Sequence, residues 1–180
     1  MKVTIIFDDE AWNPDLKANW GFSCLVVDGI SHEHWDHLGG LAELLRLNRK
    51  VRVYLPWSCP KVVEVREVIR AREPLKISED FFSTGELPCG EQSLVVKTEK
   101  GLAVICGCSY PGVGTILKAA SRFGRVAALI GGFHGFQEYE LLADLALVCP
   151  CHCTRHKAEI FRRYPETTVR GGAGRVLESG

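Results

Sequence analysis

Net charge is missing from this chain: 22 Lys+Arg balance 22 Asp+Glu, and no long basic run stands out. That argues against an electrostatic nucleic-acid binder, although a local patch stays compatible with it. Also missing is any apolar run long enough to cross a bilayer. The opening Met1-Lys2-Val3-Thr4-Ile5-Ile6-Phe7 is apolar but too short for a secretory leader, and Asp8-Asp9-Glu10 follows at once. A cytoplasmic chain with no membrane partner is the expectation. There is no internal repeat, low-complexity linker or sign of a second domain. The 180 residues are 46% hydrophobic and 24% charged, which suits one soluble domain over 1–180 with a real core.

What is present is concentrated. Ser31-His32-Glu33-His34-Trp35-Asp36-His37-Leu38-Gly39-Gly40 places three histidines and an aspartate within six residues. Imidazole and carboxylate are common ligands of zinc, iron and manganese. In an extended segment alternate side chains share a side. His32, His34 and Asp36 therefore address one point, and His37 breaks the alternation to address a second. That spacing suits two neighbouring ions better than one. Eight cysteines are many for a cytoplasmic chain. Cys24, Cys106 and Cys149 sit in apolar runs and read as small buried hydrophobes. Cys151 and Cys153 flank His152, so a metal role for one of them stays open. Their redox state is not legible from the sequence.

The apolar patterns alternate between strand and helix. Val3–Phe7, Phe22–Val27 and Val51–Leu55 read as strands, and Gly39–Leu47 and Pro60–Arg72 as helices. Ser93–Thr98 and Leu102–Cys106 form a plausible hairpin around Glu99-Lys100-Gly101. Val113–Phe123 reads as a helix, Val126–Ile130 as a strand, Gln137–Asp144 as a short helix, Leu147–Cys149 as a strand and His156–Tyr164 as a helix. Thr167–Val169 and Arg175–Leu177 look extended. Hairpins mixed with alternating strands and helices imply layered α and β elements around a mixed sheet.

The remaining polar motifs follow strands. Gly107-Cys108-Ser109-Tyr110-Pro111-Gly112 and Gly131-Gly132-Phe133-His134-Gly135-Phe136 both do so, as does Cys149-Pro150-Cys151-His152-Cys153-Thr154. Strand ends are where layered α/β proteins build sites. His152 gains weight beside the early cluster, because a dinuclear site needs more ligands than one loop supplies. Helix starts after Ser109 and Thr154, with Arg155 and Lys157 close by, would suit an anion. A solvated helix face is the alternative for the two basic residues.

The pattern His-x-His-x-Asp-His at His32, His34, Asp36 and His37 resembles the metal motif of the metallo-β-lactamase superfamily. Thr84-Gly85-Glu86-Leu87-Pro88, Glu91-Gln92-Ser93-Leu94, Gly107-Cys108-Ser109, Gly131-Gly132-Phe133-His134 and Pro150-Cys151-His152-Cys153-Thr154 narrow the resemblance. They point to the branch that contains the dihydropterin–ribofuranosylaminobenzene phosphate synthases. The ordered set runs from about Gly21 to about Arg175.

This resemblance implies an α/β (α+β) fold, a four-layer αββα sandwich. It also implies two metal ions, zinc first with manganese or iron as alternatives. His32 and His34 would hold one ion, Asp36 and His37 the other, with His152 as a late ligand. His134 would lie near the metals, and Asp36, His134 and Tyr110 would carry the chemistry. The implied function is hydrolysis of a small anionic ester, such as a phosphate ester or phosphorylated cofactor precursor, by hydroxide formed at the metals. A non-catalytic metal-binding or ligand-sensing protein is the alternative, and a nuclease a third reading.

Two departures from the branch stand out. Tyr110 replaces the histidine usual after Gly-Cys-Ser. Three options follow: a phenolate ligand, one weakly held ion, or the position handed to Cys108 or water. A strand and helix usual before the histidine motif are also missing, since only Asp28-Gly29-Ile30 joins strand to motif. The N-terminal half of the sandwich is therefore expected to be trimmed, with a homodimer partner covering the exposed edge.

Overall fold

The computed structural model describes residues 2–7, 10–16, 23–25, 37, 46, 52–60 and 67–178. His32, His34 and Asp36, expected as metal ligands, lie outside these residues, as does the helix expected over Gly39–Leu47 apart from Arg46, which is helical. His37 is helical too.

The strands are β1 (Lys2–Phe7), β2 (Ser23–Leu25), β3 (Arg52–Pro56), β4 (Glu67–Ala71), β5 (Leu75–Lys76), β6 (Phe81–Ser83), β7 (Leu94–Thr98), β8 (Gly101–Cys106), β9 (Val126–Gly132), β10 (Leu147–Cys151) and β11 (Val176–Glu178). Helices α1 (Val113–Ala120) and α2 (Lys157–Arg163) lie among the last of them. Six strands form one sheet in the order β10-β9-β8-β7-β6-β5; β11-β1-β2 and β3-β4 form two smaller ones.

The large sheet follows from its sequence. β7 and β8 are β-branched runs joined at Glu99-Lys100, and they pair antiparallel with Val95 opposite Val104. Beyond them β8, β9 and β10 run parallel. Both faces of this sheet are covered, and the two-residue period decides which side chain goes where. Val95, Val104, Leu129 and Val148 face a core shared with Val113, Ile116 and Ile160 of the two helices. Their chain neighbours Val96, Ile105, Ile130 and Cys149 face a second core, which Leu177 of β11 joins. A sheet with helices on one side and another sheet on the other is the inner part of the expected sandwich. Among the described residues, no helix is long and apolar enough to cross a membrane.

Two expectations need correction. Pro60–Arg72 was expected to be helical, but Glu67–Ala71 is a strand, paired parallel to β3 with Arg52 opposite Glu67. Adjacent β-branched Val68 and Ile69 are stiff at χ1 and suit a ladder better than a helix. The neighbouring strand supplies that ladder, which local periodicity does not reveal. The helix expected over Gln137–Asp144 is only a 3₁₀ turn at Tyr139–Leu142.

Gly131 is tied to its position by space. Its φ is +132°, and a Cβ there would sit 2.1 Å from the Cys106 carbonyl oxygen. Gly131→Ala must push β8 and β9 apart as well as strain its own backbone. We expect a loss of about 3 kcal/mol or more, read from urea unfolding midpoints. A shift within error of zero would contradict the close approach.

Candidate metal centre

Parallel pairing brings the ends of β8, β9 and β10 into line. Cys106 lies opposite Gly131, and Gly132 opposite Cys151. The three polar motifs therefore leave the sheet side by side. Among the described residues four non-glycine residues have positive φ, and three of them stand here: Ser109 (58°), His134 (44°) and His152 (36°). Such backbone is costly and persists only where the surroundings impose it.

Hydrogen bonds between the loops impose it. The Gly132 N–H donates to the Gly107 carbonyl at 2.9 Å. The Ser109 hydroxyl donates to the Gly132 carbonyl at 2.6 Å. Thr154 Oγ1 accepts from the Phe133 N–H at 2.9 Å and donates to the Cys151 carbonyl at 2.7 Å. The Arg155 N–H donates to the His134 carbonyl at 2.9 Å. Both hydroxyls expected beside a bound anion are thus buried and engaged with backbone. Lys157 Nζ pairs with Glu10 Oε1 at 2.7 Å, and the Arg155 side chain lies at the surface.

The loop after β8 does receive an anion, but the anion belongs to the chain. Glu91 is fully buried. Its Oε1 accepts from the N–H groups of Cys108 at 3.2 Å and Ser109 at 3.0 Å, and its Oε2 from that of Tyr110 at 2.9 Å. Burial raises its pKa above the ordinary carboxylate range, against the backbone N–H groups of Tyr110, Ser109, Cys108 and Gly107, which lower it. In the sequence Glu91 is one residue of the Glu91-Gln92-Ser93-Leu94 motif, with no role of its own. An isolated acid between Gly90 and a run of residues bound for a core is the signal that could have found it.

The site closes on three side chains. His37, Cys108 and His152 each offer a ligand atom, and these atoms all lie within 4.8 Å of one another. Cys108 Sγ is 3.2 Å from His37 Nε2. The rings of His37 and His152 meet edge to face with centroids 5.4 Å apart. Cys108 and His152 are buried, and His37 is half-buried. Two nitrogens and one sulfur form a donor set that suits zinc. His37, from the early histidine motif, therefore stands beside the late His152. Cys108, one of three options raised by Tyr110, joins them. Tyr110 is 38% exposed, and its ring lies 5.3 Å from that of His134.

The other cysteines divide. Cys106 and Cys149 are buried hydrophobes as expected, and burial drives the Cys106 thiol well above its usual pKa. Cys151 is fully buried with its Sγ 3.6 Å from that of Cys149. Cys153 shares a hydrogen bond with Cys108; that bond, then burial, raises the Cys108 thiol, and the same bond lowers Cys153.

A solved metal-dependent hydrolase of the β-lactamase superfamily superposes with a TM-score of 0.75 over 99% of both chains, at 24% identity. A metallo-β-lactamase fold protein of Bacillus subtilis superposes with a TM-score of 0.65 over 98% of this chain and 99% of its own, at 13% identity. The chain has the metallo-β-lactamase fold. Within that fold, 99% of the chain aligns at 24% identity with 85% of the 7,8-dihydropterin-6-methyl-4-(β-D-ribofuranosyl)-aminobenzene-5′-phosphate synthase of Methanocaldococcus jannaschii. That alignment spans 250 positions against a chain of 180 residues, so the relative carries segments this metallo-β-lactamase-fold chain lacks. No protein-family model matches the chain.

Glu91 generates a test in the metal-free protein. Glu91→Gln replaces an acceptor-only carboxylate with an amide whose NH₂ faces N–H groups, which should cost about 1–3 kcal/mol. With its pKa raised on folding, Glu91 binds more protons in the native than in the unfolded state. Wild-type stability then falls as pH rises through the window just above the ordinary carboxylate range. The stability gap between wild type and Glu91→Gln should narrow across that window in urea titrations. A widening gap would contradict the sign.

Proposed function

We propose that the chain is a metal-dependent hydrolase of a small anionic ester, with phosphate esters and phosphorylated cofactor precursors as the first class to examine. The observation that carries the reading is the convergence of His37, Cys108 and His152 from distant parts of the chain. The fold shared with a metal-dependent hydrolase, and the likeness to a synthase whose name carries a phosphate, support it. When bound, zinc ions supply Lewis acidity toward an ester and make water a nucleophile near neutral pH.

The chain's own residues would do the rest. His37 and His152 hold metal, joined by His32, His34 and Asp36 from the same motif. Asp36 also orients the attacking water. Tyr110 and His134 stand together, their ring centroids 5.3 Å apart. Each carries a proton that can pass to the leaving oxygen. Arg155 follows the His152 loop at the surface and supplies positive charge toward an anionic substrate.

Protein loaded with zinc or manganese should turn over at least one of a phosphomonoester, a phosphodiester and a lactone. Asp36→Ala should abolish that turnover. About two metal equivalents per chain are expected on elemental analysis. Turnover that survives Asp36→Ala, or none with any metal, would overturn the reading. Metal held without turnover would favour a ligand-sensing protein, for which Tyr110 in place of a histidine is the supporting observation. A homodimer covering the trimmed edge belongs to the same proposal, and a monomer in sedimentation would refute that part.

A further inference from the structure

The metal-dependent reading leaves open what holds the ion where the branch would use a histidine at Tyr110. We infer that Cys108 is a thiolate ligand, closing with His37 and His152 an N₂S site that selects zinc over manganese. This rests on the metal-dependent reading and goes beyond it in ligand and metal class.

Three observations converge on sulfur. The first is spacing. Ligand atoms on one tetrahedral zinc lie about 3.3–3.7 Å apart, given Zn–N and Zn–S bonds of about 2.0–2.3 Å. Cys108 Sγ and His37 Nε2, at 3.2 Å, already stand near that separation, with His152 within 4.8 Å of both. The second is that Cys108 is held in place. Its N–H is bound to the buried Glu91 carboxylate at 3.2 Å, and the next residue is fixed in left-handed backbone. The third is the position of Tyr110. It is 38% exposed, its ring lies 5.3 Å from that of His134, and its side chain hydrogen-bonds to Cys108, which is the buried member of the pair and offers its sulfur to the cluster.

Cys153 has a different place in this arrangement. Its Sγ lies 3.8 Å from the Cys108 carbonyl oxygen, and it is not one of the three converging ligands. Its S–H donates to that carbonyl, a contact that steadies the backbone of the ligand from outside. On metal binding the Cys108 S–H bond breaks, the proton leaves to solvent, and the sulfur electron pair forms the metal–sulfur bond. A thiolate favours zinc, cobalt and cadmium, whereas manganese favours oxygen donors.

Cobalt(II) is the probe. Metal-free full-length protein titrated with cobalt should gain a near-ultraviolet sulfur-to-cobalt charge-transfer band, and excess manganese should not displace it. The band should persist in Cys153→Ser and vanish in Cys108→Ser. Should Cys108→Ser fail to fold, Cys108→His keeps a ligand at the position and should bind cobalt without the band. Bound cobalt with no band in wild type, or a band that survives at Cys108→Ser or Cys108→His, overturns thiolate ligation and leaves the hydrolase reading standing. Loss of the band in Cys153→Ser with retention in Cys108→Ser assigns the wrong thiol and overturns it too. Absence of any bound cobalt overturns both readings.

Discussion

Three parallel strands that end in line are the constraint on which the site depends. Had β8, β9 and β10 alternated in direction, the loops carrying Cys108, His134 and His152 would have left from opposite edges of the sheet. In the observed register Cys106, Gly131 and Pro150 share a row. The next residues of all three strands therefore emerge at one edge. Gly131 permits the close approach, since its missing side chain would occupy the space of the Cys106 carbonyl. The hydrogen bonds from Gly132 to Gly107 and from Ser109 to Gly132 then carry the alignment past the strand ends.

The electrostatics of the edge follow from that alignment. Three successive N–H groups after β8 point inward, a geometry that attracts negative charge. The chain satisfies them with Glu91, so a buried carboxylate that would otherwise be costly is bound from both sides of its charge. The consequence is a rigid support for Cys108. Ser109 and Thr154 make the same trade on a smaller scale, their hydroxyls replacing water for backbone groups that the left-handed turns would leave unpaired.

The cysteines show how context divides one residue type. Cys106 and Cys149 alternate with apolar neighbours inside strands and are packed away as small hydrophobes. Cys108 stands two residues beyond a strand end, where side chains turn toward the edge. Composition cannot make that distinction. Position relative to a strand terminus can, and Cys106 marks the terminus in question.

Much of the fold was legible because its strands are dense in β-branched residues and its turns in glycine. β7, β8, β9 and β10 match their expected spans within a residue or two. β4 was not legible, since Val65, Val68 and Ile69 also satisfy a helical spacing. Only pairing with β3, across a gap in sequence, separates the two. At the site, the early histidines and His152 could be read as ligands because imidazole clusters have few other uses. Glu91 could not be assigned a role, because its partners are backbone groups that any residue carries. What the sequence determined by itself was a layered fold and a set of metal-ligating residue types. Tertiary structure alone decided that Cys108 joins His37 and His152. Distance between atoms remote in the chain is set by strand register and loop backbone, and neither leaves a local trace in composition or periodicity.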